Sequence, residues 1–148
     1  MTPDRTRTAR FTTAMALAVA AAFVAACGGS SNPTTVTAPT GTVTTETFTG
    51  TVQPGGSDSH NFNVSIGGTV SVTLVSAGPP ATITMGLGVG NPSSAGTCSF
   101  LQNGTTTTTA GSVAQLSGSL AAGAYCVSVV DVGNAAVAIT YTVTVAHT

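Results

Sequence analysis

The chain has no lysine and no tryptophan, and its arginines, Arg5, Arg7 and Arg10, all precede its first long apolar run. Acids are nearly as scarce: Asp4, Glu46, Asp58 and Asp131 are the whole set. Each shortage excludes a class of function. Nucleic-acid binding needs a basic footprint to release counterions from phosphates, and nothing after Arg10 supplies one. Calcium asks for about six to eight oxygen ligands, usually with several carboxylates, and Glu46, Asp58 and Asp131 are scattered. The histidines are His60 and His147. His60 lies two residues from Asp58, so in a strand both would face one side, but the second imidazole sits next to the C-terminus. The expectation is no metal and a solvated turn at His60. A serine hydrolase would show a Gly-x-Ser-x-Gly elbow, which is missing, and no acid pair stands in a glycosidase-like context. No catalytic residue and no cofactor are therefore expected, with a small hydrolase the least supported reading.

What is present is threonine, serine, glycine and valine. Low charge with so many β-branched residues is unlike a disordered tail and suits a pleated, half-buried surface.

The first 26 residues stand apart. Arg5, Arg7 and Arg10 lead into "FTTAMALAVAAAFVAA", an apolar core shorter than the roughly 20 residues of a membrane-spanning helix. It ends in Val24-Ala25-Ala26-Cys27, which resembles the lipobox of bacterial lipoproteins. The resemblance implies a signal peptide over 1–26 and cleavage before Cys27. It further implies a diacylglyceryl thioether on the Cys27 sulfur and an acyl chain, such as palmitate, on the new amine. The cysteine would anchor the chain to a membrane, and with Gly28 in place of aspartate the family pattern points to the outer membrane of a bacterial envelope. An ordinary secretory signal or an uncleaved anchor is the alternative. Two or three acyl chains, at about 0.8 kcal/mol per buried CH₂, hold a protein durably where one does not.

Residues 27–45 comprise Cys27 and "GGSSNPTTVTAPTGTVTT", a Gly/Ser/Thr/Pro-rich stretch without apolar periodicity, expected as a flexible tether. From 46 to 148 the pattern becomes short alternating runs divided by turns. Runs are expected at 47–52, 60–65, 69–76, 81–89, 97–102, 124–130 and 137–146, with Asn103-Gly104 as a tight hairpin turn. Residues 105–109, five threonines, read as an exposed strand or loop, and as an edge to which a partner strand could add. Val70, Val72 and Leu74 share a face, as do Ala81, Ile83, Met85, Leu87 and Val89. So do Tyr125, Val127 and Val129, and Val137, Ile139, Tyr141, Val143 and Val145. Seven or eight short strands with no helical period argue for an all-β fold, a single antiparallel β-sandwich of jelly-roll type.

Three stretches carry a second resemblance: "FTGTVQPGGSDSHNFNV", "GGTVSVTLVS", and "LAAGAYCVSVVD" with "ITYTVTV", where Gly123-x-Tyr125 leads into a strand. Over residues 46–148 the chain resembles the bacterial pre-peptidase C-terminal domain, a small jelly-roll-like accessory module. That implies a non-catalytic role. Members often carry an Asp-rich segment tied to calcium, and the matching place here, "ATITMGLGV", has no acid.

With Cys27 lipidated, Cys98 and Cys126 remain as an even pair in an exported chain, and a disulfide between them is expected. A redox pair is disfavoured because no Cys-x-x-Cys spacing occurs. Saccharide binding on a sheet face would use aromatic platforms, and Tyr125 and Tyr141 fall on faces assigned to the core. The expected function is a lipid-anchored, non-catalytic module that binds or supports an envelope or extracellular protein or glycan. A carbohydrate-binding module is the alternative.

Overall fold

The computed structural model describes residues 41–148; the expected signal peptide, Cys27 and most of the expected tether lie outside them. Eight strands follow in order: β1 Thr44–Val52, β2 Ser57–Val64, β3 Gly68–Gly78, β4 Thr84–Pro92, β5 Cys98–Thr109, β6 Leu116–Leu120, β7 Gly123–Asp131 and β8 Ile139–His147. They form two four-stranded sheets, ordered β1-β8-β3-β6 and β2-β7-β4-β5, with every ladder antiparallel.

The ladders β1–β8, β2–β7, β3–β6 and β4–β5 are those of one long hairpin, strands one to four running out and five to eight returning. Wound on itself, the hairpin gains β3–β8 and β4–β7 and closes as a jelly-roll sandwich. Neither sheet could leave its apolar stripe in water, so the stripes meet. Val70, Val72, Leu74, Val143 and Val145 of the first sheet face Val64, Met85, Leu87, Val127 and Val129 of the second, all buried.

The alternation read from sequence holds in β3, β4, β7 and β8, with ends that differ. Ala81 is exposed in the turn after Pro80, and β4 begins at Thr84. Val137 is exposed, because β8 begins only at Ile139. Thr44 and Thr45, placed in the tether, already pair with His147 and Ala146.

The larger correction concerns Asn103-Gly104, which closes no hairpin. Gly88 pairs with Thr105 and Gly90 with Phe100, so residues 101–104 bulge out opposite Val89 inside one continuous β5. Asn103 takes φ 60° there, a left-handed conformation that asparagine tolerates. Gly104 lies so close to the Val89 carbonyl that a Cβ would stand 2.7 Å from its oxygen. The dipeptide that favours a turn is spent on a bulge, because β4 pairs with residues on both sides of it. Residues 105–109 thus belong to an edge strand.

β6 is short, and a side chain extends it. Gln115 accepts from the Leu74 N–H through Oε1 at 2.7 Å, and its own N–H donates to the Val72 carbonyl at 3.0 Å. These bonds serve β3 backbone just past the last β6 pair, Val72 with Leu116.

Candidate functional site

β1 and β2 are the first strands of their respective sheets and border the same side of the sandwich. Along that border the inward positions are polar or aromatic: Glu46, Phe48 and Gly50 on β1, Asp58, His60 and Phe62 on β2, and Tyr141 and His147 on the neighbouring β8. The period-2 alternation that buries Val52, Val64 and Val143 also turns these side chains inward.

The Tyr141 hydroxyl donates to Asp58 Oδ2 at 2.8 Å. His60 Nε2 lies 2.8 Å from the same hydroxyl oxygen. The phenol has one proton and gives it to Asp58, so this contact requires the proton to sit on His60 Nε2. The imidazole also stacks on Phe48, ring centres 5.0 Å apart and planes 11° from parallel. His60 is therefore no solvated turn residue: β2 begins at Ser57, and His60 packs inside the strand's inward row. Gly50 makes the cluster feasible, since any Cβ there would collide with Asp58 Oδ2 and the Tyr141 hydroxyl. Burial, and then the hydrogen bond to Asp58, pushes the Tyr141 phenol well above its ordinary value.

At the far end of the border, Glu46 Oε1 lies 2.8 Å from His147 Nε2, and His147 is 4% exposed, with Phe62 against its ring at 5.5 Å. His147 Nδ1 is buried with no hydrogen-bond partner among the described residues. Both imidazoles thus spend Nε2 on tying strands together: His60 on β8 through Tyr141, His147 on β1 through Glu46. Among the described residues no group of three or more His, Cys, Asp or Glu side chains is placed to hold a metal ion.

Asp131, the last residue of β7, is committed elsewhere. Oδ2 accepts from the Gly55 N–H at 2.7 Å, and Oδ1 from the N–H groups of Gly133, Asn134 and Ala135 at 3.0 to 3.1 Å. These donors, Gly55 foremost, hold its carboxyl below the ordinary carboxylate range against the opposing effect of burial. Asp131 clasps the β1–β2 turn to the loop after β7.

The outward face of the second sheet differs in kind. Between Thr84 and Pro92 its central strand β4 presents three glycines outward, Gly86, Gly88 and Gly90, while Met85, Leu87 and Val89 point into the core. The Phe100 ring lies over Gly88, where a Cβ would strike it, and the Ser99 backbone crosses Gly90 equally closely. Beside Gly90, Cys126 pairs in register, and its sulfur stands 2.05 Å from that of Cys98, the pairing expected from sequence. Phe100 is 44% exposed and Val132 48%. Between them runs a cleft of about 320 Å³ floored by Gly86, with Val130 on one flank and Thr105 and Thr107 on the other.

A smaller apolar slot, about 130 Å³, opens between the sheets at the β5–β6 side, lined by Val70, Val72, Val89, Leu101, Leu116 and Leu120.

Sequence reasoning placed the cysteine pair but missed Phe100, because the run it sits in was read only for strand content. The three alternating glycines were the available signal: outward glycine in a central strand marks a close approach from above. No family model matches the chain, and no curated protein matches its sequence.

Proposed function

We propose that the protein is a lipid-anchored, non-catalytic β-sandwich of the bacterial envelope, acting as a binding or structural module for another envelope or extracellular macromolecule. The observation that carries the anchor is the order of Arg5, Arg7 and Arg10, an apolar core, and Val24-Ala25-Ala26-Cys27. Three further observations support the non-catalytic role. His60 bonds Tyr141 of the opposite sheet and His147 bonds Glu46 of the adjacent strand, Asp131 is spent on four backbone N–H groups, and the domain resembles the pre-peptidase C-terminal accessory module. The Gly/Ser/Thr/Pro-rich stretch after Cys27, expected as a tether, would at about 3.3 Å per extended residue hold the sandwich well clear of the bilayer.

Replacing Cys27 by alanine tests the anchor in cells. The account expects unprocessed precursor that carries no acyl groups to accumulate, its apolar residues 11–26 still attached. A variant that is processed and acylated like the wild type overturns it.

A second reading, saccharide binding, is favoured by one observation: the half-exposed Phe100 ring lying over Gly88 on a glycine-lined sheet face. Such a ring offers the platform that Tyr125 and Tyr141, turned toward the core, do not.

A further inference from the structure

We propose that the cleft floored by Gly86, between Phe100 and Val132, binds a segment of a neutral saccharide chain. This deepens the second reading above and rests on it.

The glycines carry the first part of the argument. Outward glycine weakens a strand by roughly 0.5–1 kcal/mol relative to alanine, so each of the three needs a cause. Gly88 has one in the Phe100 ring and Gly90 in the Ser99 backbone. Gly86 has no ring or backbone above it, but a Cβ there would press on the side chains of Val130 and Val132, at 3.3 and 3.4 Å, and stand 3.5 Å from the Val130 carbonyl oxygen. Its missing side chain relieves that crowding and also leaves the cleft floor low.

Chemistry selects the occupant. No ionisable side chain lines the cleft, and the chain has no Lys or Arg after Arg10. An anionic ligand would find no counter-charge there. A peptide adding as a strand needs free backbone groups, yet β4 is paired on one side with β5 and on the other with β7. A wholly apolar ligand would desolvate the Thr105 and Thr107 hydroxyls without giving them a partner. A pyranose chain satisfies both walls. Its C–H face lies against Phe100, Val130 and Val132, and its hydroxyls meet the threonines. At about 320 Å³ the cleft is at the lower end of the roughly 300–1,000 Å³ typical of small-ligand sites, enough for a short segment of chain.

The test titrates the full chain, held in phosphatidylcholine vesicles, with cellohexaose, chitohexaose, maltohexaose and laminarihexaose, and with polygalacturonate as the anionic comparison. At least one neutral oligosaccharide should bind, with an affinity unchanged by added salt. Phe100→Ala should weaken that binding about tenfold or more, as truncating a central contact does. Val132→Ser, at an exposed turn position, should weaken it with an unchanged melting temperature, which covers the case in which Phe100→Ala unfolds. Thr49→Ala, on the opposite sheet, should bind as the wild type does. Binding to none of the neutral oligosaccharides, preference for polygalacturonate, or neutral binding that survives both Phe100→Ala and Val132→Ser overturns the proposal. Acylation of Cys27 is read separately, so failure here leaves the anchored-module reading standing.

Discussion

Tyr141 of one sheet donates to Asp58 of the other across 2.8 Å, joining the two halves of the sandwich at their β1–β2 border. Removing the hydroxyl leaves Asp58 and the His60 Nε2 proton short of a partner. Tyr141→Phe should therefore cost about 1–2 kcal/mol, the range for a partly buried polar group left unpaired. Gly50→Ala pushes a methyl group into the same space and should cost at least as much, about 1–3 kcal/mol for overpacking. Urea unfolding midpoints of both variants against wild type measure this, and a neutral Gly50→Ala would contradict the geometry.

The same phenol makes a prediction at high pH. Its folded pKa is raised, so the folded state favours the neutral form. That stability is fully present below the ordinary phenol value of about 10 and is lost as pH rises above it. The urea midpoint of the wild type should fall as pH rises above about 10 more steeply than that of Tyr141→Phe. Equal slopes would remove Tyr141 as the cause.

Asp131 acts at the other end of the scale. Its folded pKa is depressed, so its contribution is present above the ordinary carboxylate value of about 3.9 and is lost as pH falls below it. Acid unfolding should begin in that window, and Asp131→Asn, which has one carbonyl oxygen to serve four N–H groups, should flatten the dependence. An Asp131→Asn protein with the wild-type acid profile would show that other carboxyls govern it.

Which parts of this were legible beforehand follows from how local each feature is. The core faces of β3, β4, β7 and β8 are period-2 patterns within a few residues, and the sequence shows them directly. The β1–β2 border is not local. Asp58 and His60 read as surface residues because their partner Tyr141 is 83 and 81 positions away, and only the wound hairpin brings it across. Asn103-Gly104 misleads for the converse reason. Its local preference for a turn is real, but the ladder with β4 resumes at Thr105 and turns the dipeptide into a bulge. The glycine-lined face was visible as "MGLGVG", yet what lies over it depends on β5 pairing with β4.

The bridge between Cys98 and Cys126 spans 28 residues, and in the chain-entropy picture a loop of that size contributes about 3–4 kcal/mol. Protein isolated without reductant should show no reaction of these cysteines with a thiol reagent in denaturant, and reduction should lower the melting temperature. Free thiols at Cys98 and Cys126 would remove the bridge from the account.

The central claim is that Cys27 is the first residue of the mature protein and carries lipid, and intact mass spectrometry of the protein extracted from membranes tests it most directly. The account predicts a single mature chain beginning at Cys27, heavier than its sequence by a diacylglyceryl group and an N-acyl chain, the added mass removed by Cys27→Ala together with processing. A mature N-terminus at any other residue, or a chain beginning at Cys27 with no acyl mass, would contradict it.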